Sequence, residues 1–234
     1  MPPAAILDLI AVFIFALTGG LVASRAQLDI VGFLFLACLT GVGGGTLRDL
    51  VLGRDPVFWV GSPHYLAVAC AAAILAFFTA HRLESRYHAI VWLDALALSV
   101  AAAAGVSIAR EAGASWPIVL VMGVATGTFG GLMRDVVTNE IPLVLRQGEL
   151  YVSACLAGAL LSVLLLRLFP AGETLSLLTA SVATFVLRAG SLRFGWRLPV
   201  YRPRAPRMFP PRSAVASPGP ASDSAGDDGG AAKP

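Results

Sequence analysis

The chain has 234 residues, 57% of them hydrophobic and only 13% charged, with 24 glycines and 15 prolines. Its mean hydropathy of +0.78 excludes an ordinary water-soluble domain, which carries about 25% charged residues, and points to the bilayer as solvent. The net charge of +3 combines −2 over residues 1–187 with +5 over residues 188–234, and no basic stripe interleaved with aromatics argues for a nucleic-acid partner.

Seven uncharged or nearly uncharged runs follow in order: Leu9 to Ser24, Ile30 to Leu47, Pro63 to Ala80, Ala95 to Ala109, Ala112 to Met133, Leu150 to Leu166 and Thr174 to Leu187. With neighbouring half-polar turns each approaches the ~20 residues that cross ~30 Å of hydrocarbon, although several, the last among them, are short. No basic residue precedes the first run and Arg25 follows it, so the run reads as a span rather than a cleavable leader. Arg25, Arg82, Arg86, Arg146 and the arginine-rich end then share one side of the membrane. The positive-inside rule makes that side cytoplasmic and leaves the amino terminus outside. From Arg193 onward, Arg-Pro repeats and a Ser/Gly/Ala/Asp-rich end predict about 35 to 40 disordered residues, whose basic part can rest on anionic membrane lipids at ~1 kcal/mol per charge.

The chain repeats itself. Gly44-Gly45-x-x-Arg48-Asp49 recurs 86 residues later as Gly130-Gly131-x-x-Arg134-Asp135, and the same gapless register aligns Asp8 with Asp94, Gly19 with Gly105, Thr40-Gly41 with Thr126-Gly127, Pro56 with Pro142 and Tyr65 with Tyr151. A register held across three spans predicts an internal duplication. Three is odd, so the second copy enters the membrane from the opposite side. The predicted fold is an all-α integral membrane protein in which seven transmembrane helices form two inverted three-helix repeats plus a seventh helix. The repeats cover residues 1–86 and 87–172, the seventh helix 173–192, and the tail 193–234.

The second span contains Thr40, Gly41, Gly43, Gly44 and Gly45, and the fifth contains Thr126, Gly127, Gly130 and Gly131. Glycine costs ~1 kcal/mol relative to alanine inside a helix, so these clusters predict kinked segments lining a pore between the repeats. Close helix contact through small residues is the alternative, and the better reading for Gly19, Gly105 and Gly158. One turn beyond each cluster stand Arg48-Asp49 and Arg134-Asp135, charges that mark either a polar pathway or interfacial anchors. Neighbours on a helix point about 100° apart, so the predicted pairing crosses the repeats, Arg48 to Asp135 or Arg134 to Asp49. In a cation pathway the aspartates attract cargo while the arginines set structure or gating.

Asp8 and Asp94 are read first as caps of their helices and second as pore residues. Pro56 and Pro142 end the motif helices, Tyr65 and Tyr151 are interfacial aromatics, and His64, His81 and His88 lie in loops without ligand spacing. Cys38, Cys70 and Cys155 sit singly in apolar runs as small hydrophobes, and no cofactor is called for. There is no nucleophile elbow, no HExxH and no phosphate loop with its lysine, so no enzyme is predicted.

The stretch Gly43-Gly44-Gly45-Thr-Leu-Arg48-Asp49-Leu-Val-Leu-Gly-Arg-Asp-Pro56-Val-Phe-Trp59, with Gly127 to Asp135, resembles the two signatures of the prokaryotic branch of the trimeric intracellular cation (TRIC) channel family. The same proteins are grouped as UPF0126 and sometimes labelled glycine transporters. The resemblance covers about residues 6 to 190. It implies a homotrimer, each protomer conducting monovalent cations, especially potassium, through its own pore around the second and fifth helices. Animal members carry a lysine motif in this region, whereas the only lysine here is Lys233. The expected activity is therefore a potassium-selective channel. A small-solute secondary transporter, perhaps for glycine, is the alternative, because inverted repeats with broken helices also serve alternating access. A non-transporting assembly protein is a third reading.

Overall fold

The computed structural model describes residues 2–83, 85–146 and 149–199. Within them the chain is helical: α1 Pro3–Arg25, α2 Ile30–Val51, a one-turn α3 Phe58–Gly61, α4 His64–Thr79, α5 Arg86–Glu111, α6 Trp116–Val137, α7 Val152–Leu168 and α8 Glu173–Phe194. Each uncharged run is answered by one long helix. Six stretches (3–25, 30–51, 64–82, 86–111, 116–137 and 173–194) are long and apolar enough to cross a membrane, and the shorter apolar helix is α7 rather than the last. The expected disordered tail falls, from residue 200 onward, outside the described residues.

Local sequence explains the helix ends. Pro3 opens α1, where a missing N–H costs nothing, and the Asp29 side chain accepts the Gly32 N–H at 2.8 Å to cap α2. Asp29→Ala should therefore cost about 1 kcal/mol, read as a small fall in the melting temperature of detergent-solubilised protein. The motif helices stop earlier than their prolines. Gly53 (φ +65°) and Asn139 (φ +55°) adopt the left-handed conformation, and the next residues, Arg54 and Glu140, return their N–H groups to the carbonyls of Asp49 and Asp135, both at 2.9 Å. Pro56 and Pro142 follow an end already made.

Repetition extends to the packing. Displaced by 86 residues, the bounds of α2 coincide with those of α6. α1 packs on α2 and α4 as α5 packs on α6 and α7, and α2 touches α4 as α6 touches α7. The halves meet along α1 and α5 and along α2 and α6. Small side chains bring the first pair together: Ala11, Ala97 and Ala101 are buried between α1 and α5, with Ile14 and Phe15 beside them. α8, outside the repeat, packs on α5 and α7, where Thr184 occupies the space a side chain at Gly158 would need. Phe35, Phe78, Leu160, Leu175 and Val182 stand exposed on the outer surface. Apolar surface on this scale suits lipid and not water.

The glycine clusters do not break their helices. Both α2 and α6 run as continuous α-helix through them. The hydroxyls of Thr40, Thr46, Thr126 and Thr128 donate back to carbonyls four residues earlier, at 2.6 to 2.9 Å, so no polar group is freed there. The glycines instead let helices touch: a Cβ at Gly44 would strike the carbonyl oxygen of Thr126, and one at Gly130 that of Thr40. These contacts are the same contact seen from the two halves.

Candidate functional site

At the α2–α6 crossing a void of about 10 Å³ is enclosed by residues including Asp8, Gly41, Gly44, Gly45, Phe58 and Thr126. It is about the size of one water-sized sphere. Five helices, α1, α2, α3, α5 and α6, contribute to its wall, and the one carboxylate on that wall belongs to Asp8.

Next to it Arg48, with no exposed surface, is fully engaged. Nε donates to Asp49 Oδ1 at 2.8 Å, Nη1 to Asp8 Oδ1 at 3.0 Å, and Cζ lies 5.4 Å from the centre of the Phe58 ring. Asp49 is equally occupied: Oδ1 also receives Arg54 Nη1 at 3.3 Å, and Oδ2 accepts the Phe58 backbone N–H at 2.9 Å. The second cluster matches it. Arg134 Nε donates to Asp135 Oδ1 at 2.8 Å and Nη1 to Asp94 Oδ1 at 2.9 Å, while Asp135 Oδ2 accepts the Leu143 N–H at 2.9 Å. Here Thr18, reaching over from α1, is a further acceptor, taking a hydrogen bond from Arg134 Nη1 at 2.8 Å.

Two expectations are corrected by this geometry. Arginine does lie against the aspartate that follows it, because the long side chain curls round the helix and presents Nε sideways, overcoming the 100° between Cβ directions. The remaining pairing is within each repeat, Arg48 to Asp8 and Arg134 to Asp94, and not across them. Asp8 and Asp94 are likewise not caps. Their helices begin at Pro3 and Arg86, which carries both acids into the buried interior, where a carboxylate persists only with a cation.

The remaining candidates separate by surroundings. Gly127 packs on the Leu98 carbonyl and Cys155, whereas Gly43 lies under Met133 at the floor of an outward-facing apolar groove between α2 and α6. Above Gly131, a Cβ would lie 3.1 Å from both Asp94 Oδ1 and the Tyr151 hydroxyl. Tyr65 and Tyr151 are both buried, Tyr65 edge-on to Phe58 and Tyr151 among the second cluster. His64 stacks on Tyr65 at the start of α4, and His88 is in the first turn of α5. Among the described residues no three His, Cys, Asp or Glu side chains gather to hold a metal. The Cys38 and Cys70 sulfurs, unrelated by spacing, lie 3.8 Å apart between α2 and α4.

Sequence reading missed Thr18, Phe58 and Arg188. The first two have no matching residue type in the other half, and Arg188 was counted with the basic end. It is instead wholly buried in α8, donating to Glu149 at 2.9 Å.

A bundle of apolar helices that keeps three arginines wholly buried inside it defines a multi-pass membrane protein. A family model described as "Glycine transporter" matches the chain twice, over residues 5–81 and 91–167, two stretches again 86 residues apart. The chain is 36% identical over 204 residues to a UPF0126 membrane protein of Vibrio cholerae, covering 84% of this chain and 82% of that protein. It is also 36% identical over 197 residues to the UPF0126 inner membrane protein YadS of Escherichia coli, covering 83% and 94%. Among solved structures it is similar to the TRIC trimeric intracellular cation channel orthologue from Rhodobacter sphaeroides, with a TM-score of 0.80, 46% identity, and coverage of 83% of this chain and all of that one. A prokaryotic TRIC channel crystallised in 0.5 M KCl gives a TM-score of 0.76 at 29% identity, covering 82% and 96%. The chain belongs to the UPF0126/TRIC family of membrane proteins.

Proposed function

We propose that the protein is a channel for monovalent cations, potassium foremost, and not an enzyme. The observation that carries this reading is the void at the α2–α6 crossing: a space walled by Gly41, Gly44, Gly45, Thr126 and apolar side chains, with the Asp8 carboxylate on its side. A cation entering such a place needs a fixed negative charge and nearby oxygens, and avoids a bare guanidinium. Both central arginines are neutralised, Arg48 by Asp8 and Asp49 and Arg134 by Asp94 and Asp135. At about 10 Å³ the space is closed to a hydrated ion, so passage requires α2 and α6 to move apart. In this reading Asp8 faces the cation, and the arginines govern opening. Asp49 and Asp135 tie the motif helices to the segments that follow.

The proposed architecture has seven spans in two inverted repeats, residues 1–86 and 87–172, with the seventh helix outside the symmetry. The amino terminus is external, the carboxy terminus cytoplasmic, and three protomers assemble in the cell's inner membrane, each with its own path. The 46% identity to a trimeric cation channel supports this reading.

A second reading, a carrier of a small solute such as glycine, is favoured by the description of the matching family model. The two separate in one preparation. Purified protein in liposomes should pass potassium faster than sodium, show unitary currents in planar bilayers, and lose most of the flux on Asp8→Asn. Saturable, gradient-driven glycine uptake without unitary currents would overturn the channel in favour of the carrier, and silence in both assays would remove both.

A further inference from the structure

Beyond the differences at Arg54, Phe58 and Thr18, the second Arg-Asp cluster has beside it a guanidinium that comes from outside the repeat. Arg188 of α8 has no exposed surface, and its Cζ lies 5.1 Å from the centre of the Tyr151 ring. Tyr65, the counterpart of Tyr151, has the Phe58 ring edge-on at 4.8 Å and the His64 ring stacked at 4.5 Å as its aromatic neighbours. The Tyr151 hydroxyl and Asp94 Oδ1 both lie over Gly131, each 3.1 Å from where a Cβ there would be, with Arg134 Nη2 at 3.6 Å from the same point. Arg188, Tyr151, Asp94 and Arg134 thus form a continuous line from α8 into the second cluster.

The charge on Arg188 is held by little else. Nη2 donates to Glu149 at 2.9 Å, and neither Nε nor Nη1 has a hydrogen-bond partner among the described residues. A buried guanidinium so sparsely bonded costs stability, and the face of the Tyr151 ring supplies the compensating attraction. The chain beyond α8 keeps the arrangement in register. Gly195 (φ +68°) turns it back, the Trp196 ring folds onto Gly190, and Arg197 forms an antiparallel bridge with Glu149. Ser191 Oγ accepts the Leu150 N–H at 3.1 Å and donates to the Trp196 carbonyl at 3.0 Å.

We propose that Arg188 is a positioning residue for the second cluster: stacked on Tyr151, it holds the tyrosine hydroxyl beside Asp94 and so favours the closed arrangement of Arg134 with Asp94 and Asp135. Among the described residues no arginine stacks on Tyr65 in the same way, so the two clusters open with unequal ease. This rests on the channel reading for its effect on flux, but not for the coupling between residues.

The test uses the full-length protein carrying Arg188→Gln, Tyr151→Phe, both together, or Arg188→Lys, with Arg193→Gln at the exposed end of α8 as a control for lost charge. Potassium flux should rise about fivefold, the factor for about 1 kcal/mol, in each of the first two variants: Arg188→Gln removes the cation–aromatic contact, while Tyr151→Phe keeps the ring and removes the hydroxyl held beside Asp94. The double variant should rise no further than the larger single effect, because both substitutions cut the same line. Arg188→Lys, which keeps a cation over the ring, should stay within about twofold of the parent protein, as should Arg193→Gln. Melting in detergent gives a readout independent of transport: the double variant should melt no lower than the worse single one. Unchanged or lower flux in folded Arg188→Gln, or additive melting losses, overturns the proposal. If Arg188→Gln does not fold, Tyr151→Phe and Arg188→Lys carry the same comparison. A parent protein that passes no cation sinks the channel reading alone, since the melting comparison still decides the coupling.

Discussion

Arg134→Gln should lower the melting temperature of the solubilised protein by roughly 10 °C. The substitution strands two carboxylates, Asp94 and Asp135, whose side chains are 1% and 5% exposed. Breaking a buried ion pair from one side costs about 3–5 kcal/mol, and each kcal/mol is about 2–4 °C in a chain of this size. The loss comes from uncompensated charge, so adding Asp94→Asn and Asp135→Asn should return more than half of it, because the amide oxygen introduced by the second change can still accept the Leu143 N–H. Arg48→Gln should cost less than Arg134→Gln, because Arg54 remains 3.3 Å from Asp49 and leaves only Asp8 without a cation. A melting point for Arg134→Gln within about 2 °C of the parent, or equal losses at the two arginines, would show that the clusters are not held by charge.

The second large effect belongs to Gly44 and Gly130. Alanine at either position sets a methyl group onto a backbone carbonyl, of Thr126 or of Thr40, and a backbone atom in a continuous helix cannot turn aside. α2 and α6 must separate along their crossing, which costs about 1–3 kcal/mol or more in overpacking and alters the void beside it. Gly44→Ala and Gly130→Ala should each lower the melting temperature by several degrees and change potassium flux. The neighbouring Gly43→Ala is the internal comparison. Its new methyl meets only Met133 Sδ, at 2.9 Å, the far end of a flexible side chain, so its cost should stay below about 1.5 kcal/mol. Equal behaviour of Gly43→Ala and Gly44→Ala in thermal melting would refute a role in backbone approach.

The repeat, the order of the apolar helices and the duplicated charged residues at the centre were legible from sequence, because a gapless register and long uncharged runs leave few alternatives. Partners were not. Asp8 and Asp94 read as caps because the uncharged runs begin at Leu9 and Ala95, whereas the helices begin several residues earlier. The glycine clusters read as kinks because glycine serves both a loosened helix and a close crossing, and only the position of the facing carbonyl separates the two uses. Arg188 read as part of a basic end because charge was summed along the chain, and summing cannot tell a side chain in the bundle from one beyond it. The register that exposed Asp94 could not expose Arg188, which lies outside the duplicated units.

Among the described residues each wholly buried arginine has one acidic partner that precedes it in the chain, Asp8 before Arg48, Asp94 before Arg134 and Glu149 before Arg188, at separations of 40, 40 and 39 residues. A ribosome makes the acid first. A carboxyl group can wait in a membrane as the neutral acid, but a guanidinium cannot shed its proton and is costly there from the moment it arrives. Synthesis from the amino end therefore delivers every one of these arginines to a partner already in place.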